Sequence, residues 1–154
     1  MKMLVVYDSV YGNTELIAQS IGEAIAEKAK VLKVDKVGPE DFESADFILI
    51  GSPTYYGLMS GKLKTFLDTT EKIHGKLKGK VGGSFTSSGG TGSGAETTLL
   101  SILCTMLIHG MIVVGRDDNK HYGASAVGAP KEKDIEICKE LGRRIAGLTV
   151  KIHG

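Results

Sequence analysis

The 154-residue chain predicts a single doubly wound α/β domain: a five-stranded parallel sheet in the order 2-1-3-4-5, with helices on both faces. Three observations predict it. Strand-length apolar runs alternate with amphipathic helical runs along the whole chain, so the strands are parallel and joined by right-handed crossovers. The runs Met3-Leu4-Val5-Val6-Tyr7 and Phe47-Ile48-Leu49-Ile50 are continuously apolar, as strands covered on both faces should be. The first run leads at once into a short polar loop, Ser9 to Thr14, and then into a helical pattern. Strand, polar loop and helix N-terminus together make a seat for an anion.

Each element has its own warrant. Strands are expected at 2–8, 31–35, 47–51, 80–86 and 111–115, the second more mixed in polarity and so less covered. A helix over 14–29, capped by Asn13 or Thr14, places Ile17, Ile21 and Ile25 on one stripe. Pro39 to Glu43 affords only a short turn. A helix over 60–73, with Ser60 as a possible cap, groups Leu63, Phe66, Leu67 and Thr70. Residues 95–109 are helical by length and lack of breakers. Residues 131–148 follow Pro130 and turn Ile135, Cys138, Leu141, Ile145 and Leu148 inward.

Composition bounds the rest. Hydrophobic residues make up 42% and charged residues 24%, an ordinary globular balance, and a net charge of +1 offers no field for nucleic acid. No apolar run reaches the ~18 residues of a membrane span. Met1-Lys2 leads straight into a strand without a cleavage site, so the cytoplasm is the expected compartment. Cys104 and Cys138 sit in separate helical patterns and read as buried thiols. His74, His121 and His153 form no ligand cluster, so no metal is expected. Lys62, Lys64, Lys72, Lys76, Lys78 and Lys80 read as a solvated face or as a mild attraction for an anionic nicotinamide phosphate or an acidic partner.

Ligands of such sheets bind beyond the carboxyl ends of the strands, where the winding reverses. Three loops of unusual composition lie there. Ser9, Tyr11, Gly12, Asn13 and Thr14 suit a phosphate, through hydroxyls, an amide and a backbone that allows close approach. Pro53-Thr54-Tyr55-Tyr56-Gly57-Leu58 carries adjacent tyrosines that either stack on a flat ring or pack beneath the loop. Ser87-Ser88-Gly89-Gly90-Thr91-Gly92, continuing to Glu96, lets a ligand lie along the backbone. A dinucleotide G-x-G-x-x-G fingerprint fails here, because Ala95 stands where the last glycine is required. Phosphate, flat ring and a polar chain between them describe flavin mononucleotide (FMN).

These loops resemble those of the flavodoxin-like flavoproteins, and within them the WrbA family of NAD(P)H:quinone oxidoreductases. Ser9-Val10-Tyr11-Gly12-Asn13-Thr14-Glu15 is similar to that family's phosphate loop, Pro53 to Met59 to its Pro-Thr-Arg-Phe-Gly-Asn-Met segment, and Ser87 to Glu96 to its third loop. Gly61 to Asp68, His109-Gly110-Met111, Tyr122-Gly123-Ala124-Ser125 and Ala146-Gly147-Leu148 extend the match. Tyr55 stands in place of an arginine and Leu58 in place of an asparagine, and the family's inserts near 72–76 and 116–121 are missing. The resemblance implies an enzyme in which NADH or NADPH delivers hydride to flavin N5 and the flavin reduces a quinone, with ping-pong kinetics. It also implies that His109 and Tyr122 face the ring or its substrates. His109 has a second reading, a histidine favoured at a helix C-terminus by the dipole. The alternative function is a flavodoxin-type carrier of single electrons between redox proteins, favoured by the short length but not by the balanced charge. Residues 99–108 are apolar nearly all round, which points to a homodimer or tetramer.

Overall fold

The computed structural model describes residues 1–25 and 29–154. The chain order is β1 (Met3–Tyr7), α1 (Asn13–Ala24), β2 (Ala29–Lys33), α2 (Pro39–Ser44), β3 (Phe47–Pro53), α3 (Gly61–Thr69), β4 (Val81–Ser88), α4 (Ala95–Ile108), β5 (Ile112–Val113), β6 (Ala124–Val127) and α5 (Glu132–His153). The sheet order is β2-β1-β3-β4-β5 and every pairing is parallel, as the alternation predicts.

The two faces bury separate cores. Met3, Val5 and Tyr7 of β1 join Phe47, Leu49 and Phe85 under α1 and α5, where Ile17, Ile21, Cys138, Leu141 and Ile145 meet them. Leu4, Val6, Ile48 and Ile50 point to the other face, beneath Phe42, Leu63, Leu67, Ile102 and Met106. This alternation is why the central strands read as uninterrupted apolar runs. Gly51 is required by its neighbour: a Cβ there would lie 1.9 Å from the Phe85 ring, which folds over the glycine inside the core.

Several expected boundaries shift. The fifth strand is split: β5 pairs with Val81 and Gly82, the chain leaves the sheet, and β6 returns to pair with Phe85 to Ser88. The first half fits the expected 111–115; the second, Ala124-Ser125-Ala126-Val127, is too short and too small-sided to stand out as a strand. β2 begins two residues early and passes into a 3₁₀ turn at Val34–Lys36. The helix expected over 14–29 runs from Asn13 to Ala24, and residues 26–28 of that expectation lie outside the described residues. The helix expected over 60–73 ends at Thr69 and continues as a 3₁₀ turn.

Cys138 is buried, but Cys104 is exposed. It lies on the outer side of α4 with Leu100, Leu107 and Ile108, while Leu99, Ile102, Leu103 and Met106 face the core. Lys80 departs from the solvated lysines. Its ammonium donates to the carbonyls of Phe42, Glu43 and Ala45 at the C-terminal end of α2, and burial holds it below the usual lysine range. Among the described residues, no helix is long and apolar enough to cross a membrane.

Candidate functional site at the sheet crest

β1 ends at Tyr7, level with Gly51 and Phe85, whereas β3 and β4 continue to Pro53 and Ser88. The difference leaves a step at the carboxyl end of the sheet. Residues Ser9 to Gly12 cross its floor and turn into α1. Gly12, at φ 91°, caps the helix, so neither Asn13 nor Thr14 serves as the cap. The left-handed glycine starts the helix one residue early, and no side chain caps it. The first N–H groups of α1 are therefore left for another acceptor. Ser9 Oγ accepts from Gly12 N at 3.1 Å and shapes the loop. The Thr14 hydroxyl is used across the step, in a buried 2.7 Å hydrogen bond with Ser87 Oγ. Ser9, Val10, Tyr11, Asn13, Thr14, Pro53 and Ser87 line the resulting small concavity.

The second loop is a two-residue hairpin. Tyr55 and Leu58 exchange both backbone hydrogen bonds at 3.0 Å, with Tyr56 at φ 50° and Gly57 at φ 76° between them. Two successive positive φ values mark a type I′ turn. Its base is tied down. Thr54 N donates to Ser87 O (2.8 Å), Ser60 N to Ser52 Oγ (2.8 Å) and Met59 N to Ser101 Oγ (3.2 Å). Ser60 caps α3 as expected, its hydroxyl accepting from Leu63 N. Neither tyrosine packs beneath the loop: Tyr56 is fully exposed and Tyr55 is 38% exposed. Tyr11, Val10 and Leu58 are exposed beside them. The Tyr55 phenol is pushed up first by burial, then by the neighbouring Tyr11 and Asp8.

The third loop meets the second with no side chain between. A Cβ on Gly94, at φ 98°, would lie 2.5 Å from Gly57 Cα. Ser88 Oγ donates to Gly90 O, curling Gly89 to Gly92 over the end of β4. Ser9, Tyr11, Gly12, Asn13, Thr14, the Pro53–Leu58 hairpin and Ser87 to Gly92 thus share one crest.

His109 and Tyr122 do not share it within one chain. His109 is the C-cap of α4, which starts beside Gly57 and runs down the sheet for 14 residues, about 21 Å. There its Nε2 meets Thr70 Oγ1 at 2.8 Å. Thr70 already gives its only proton to Leu67 O, so Nε2 carries the imidazole proton, and Nδ1 is left buried without a partner. Burial, then the neighbouring His74, holds this histidine below the usual range. Helix spacing correctly put His109 at a C-terminus, and a C-terminus of α4 lies opposite the crest. Tyr122 precedes β6: its carbonyl accepts from Ser84 Oγ, its ring lies edge-on to His121, and the strand rises from there toward Ser88. The unforeseen second half of the fifth strand is what moves it down. The loop reaching the crest at this edge starts instead at Gly128, whose N–H donates to Ser88 O at 2.7 Å.

Asp8 was passed over in the sequence. It is a carboxylate closing an apolar strand, only 4% exposed, at the foot of the step. A concavity of about 500 Å³ lies at the other end of the sheet between the chain ends, lined by Met1, Asp46, Lys80, His153 and their neighbours. It shares no residue with the three loops.

Replacing Tyr56 by Asn relieves a side chain held in the left-handed region, a strain of about 1 kcal/mol. The ligand-free protein should therefore melt at a higher temperature, while any aromatic ligand seated on the crest binds more weakly. Calorimetric melting with and without ligand checks both signs.

Comparison with known proteins fits this geometry. A family model described as a flavodoxin domain matches residues 4–98. An "NAD(P)H dehydrogenase (quinone)" of Archaeoglobus fulgidus is 32% identical, over 98% of both chains. That alignment spans 188 positions against 154 residues, so the relative carries insertions that this chain lacks. A "Flavodoxin" of Aquifex aeolicus is 38% identical over 94% of this chain and 85% of the relative. The crystal structure of a flavodoxin, WrbA-like protein from Agrobacterium tumefaciens superposes with a TM-score of 0.87 at 27% identity, covering 98% of each chain. Sheet order, crest loops and these matches together make the chain a member of the flavodoxin-domain family.

Proposed function

We propose that the chain is an FMN-dependent oxidoreductase that passes two electrons from NADH or NADPH to a quinone. One observation carries this reading. An uncapped helix start, an aromatic hairpin and a glycine loop converge on one crest, which suits a phosphate at the first and a flat ring at the other two. Ser9, Tyr11, Gly12, Asn13 and Thr14 hold the phosphate through hydroxyls and backbone N–H groups. Pro53 to Leu58 supply the ring wall, and Ser87 to Gly92 present backbone to the ring edge. Bound there, FMN supplies hydride acceptance from the nicotinamide and electron donation to the quinone. With the hairpin along one side of a ring held there, the other side would be left for both substrates in turn, at the roughly 3–3.5 Å approach that transfer requires. Parallel lines in double-reciprocal initial-rate plots are the kinetic sign of that alternation.

The partner we assign is a second copy of the chain. Leu100, Cys104, Leu107 and Ile108 form an exposed apolar stripe along α4, and Cys104 is its midpoint. Two such helices packed antiparallel about Cys104 cover both stripes at once, as an isologous interface requires. That packing carries His109 of the second copy toward the N-terminal turns of α4, and so toward the crest. By that route His109 would reach a ring seated there only on giving up its hydrogen bond to Thr70. Tyr122 has no comparable route and receives no role at its own chain's crest.

The Aquifex relative's name favours a second reading, a carrier of single electrons. Anaerobic titration separates the two. The enzyme is bleached directly by NADH or NADPH and recovers its colour on adding a quinone. A carrier ignores nicotinamides and is reduced by dithionite in two separable one-electron stages. Light scattering at micromolar concentration should give a dimer or larger for the parent chain and a monomer for the Leu107→Glu, Ile108→Glu double variant. A monodisperse parent monomer overturns the two-fold packing.

A further inference from the structure

Asp8 carries an inference beyond the assignment of the cofactor, on which it rests. Its backbone N–H still donates to Gly51 O, so it occupies the last rung of β1. Continuing the alternation of Leu4 and Val6 directs its side chain to the α3 side of the sheet, toward the base of the tyrosine hairpin. Its proximity is felt there, since Asp8 is one of the charges acting on the Tyr55 phenol. The residue is 4% exposed, and its carboxylate makes no hydrogen bond among the described residues. Lys30–Asp41, Lys64–Asp68, Lys120–Asp134 and Arg116–Asp118 show how the other well-placed aspartates are matched. Among the described residues, the sole fully enclosed polar side-chain atom without a partner is His109 Nδ1. The Asp8 oxygens, without a partner among the described residues, therefore retain an opening to the surface, and the next residue, Ser9, lines the crest concavity.

A nearly buried carboxyl group without a hydrogen-bond partner calls for an explanation. It is an acceptor only, so the group that satisfies it must be a donor. A phosphate cannot serve, because it brings like charge and no proton at neutral pH. The phosphate seat begins at the next residue, Ser9, and the ring wall lies at Tyr55, so Asp8 stands between the two. We infer that Asp8 accepts a hydrogen bond from a hydroxyl of the polyol chain joining the flavin ring to its phosphate, and so selects ligands that carry that chain. Asp8 is a binding and positioning residue; it takes no part in the electron transfer.

The test compares three probes, FMN, riboflavin and lumiflavin, the last having the ring without the polyol. Each is titrated by fluorescence into the parent chain, Asp8→Ala and Asp8→Asn. Loss of a hydrogen bond to a charged acceptor should weaken FMN and riboflavin about tenfold or more in Asp8→Ala and leave lumiflavin unchanged. Asp8→Asn keeps a carbonyl acceptor and should hold riboflavin within about threefold of the parent. A residue supporting the fold would lower the melting temperature of both ligand-free variants, whereas a ligand-binding residue leaves it unlowered. Equal affinity of parent and Asp8→Ala for riboflavin overturns the inference, as does an equal loss for lumiflavin or a lower melting temperature. Failure of the parent chain to bind any of the three overturns the cofactor assignment instead, which keeps the two failures apart.

Discussion

Tyr7, Gly51 and Phe85 are held on one level by the parallel ladders between β1, β3 and β4, and the crest follows from that register. β1 stops at this level while its neighbours continue for two or three residues, at about 3.3 Å each. The floor of the step so formed is the turn into α1, and its wall is the end of β3. The buried Thr14–Ser87 hydrogen bond spans the step and fixes the helix start against β4. A slip of one residue in any ladder would invert the apolar alternation of a fully buried strand, so the register is protected by both cores. The site inherits its precision from the packing beneath it.

The electrostatics of the crest are spare. The residues lining the phosphate seat include no lysine or arginine. Helix N–H groups and hydroxyls supply the attraction, and they act at short range. On the proposed reading the remaining affinity falls to contact with the ring, and Tyr11, Tyr55 and Tyr56 stand exposed at that end of the molecule. Tyr56 is held at a positive φ and Asp8 without a partner, two local exceptions at the same place. Local rules broken together at a cleft are a mark of a binding site.

Much of this was legible in the chain. The apolar runs disclosed the central strands because both faces of the sheet are covered, and the hydroxyl and glycine loops stood where a doubly wound sheet must bind its ligand. The split fifth strand was not legible, since Ala124 to Val127 is held by its ladder to β4 and carries little apolar signal of its own. Tyr122 was misplaced for that reason. Cys104 read as buried because α4 is apolar on its outer side as well, and periodicity cannot distinguish a face buried within the fold from one left for a second chain. Asp8 passed unremarked because a carboxylate at a strand end is ordinary until its burial and lack of partners are known.

On the proposed reading, the contact between the second and third loops shapes a flavin slot. Gly94 tests it most directly, because a single methyl there would press on the Gly57 backbone from 2.5 Å. The measurement is an equilibrium titration of FMN into the flavin-free parent and into Gly94→Ala, read by quenching of flavin fluorescence. One FMN per parent chain is expected, with at least about a tenfold weaker site in a variant that still melts cooperatively. Undiminished FMN affinity in folded Gly94→Ala would contradict it.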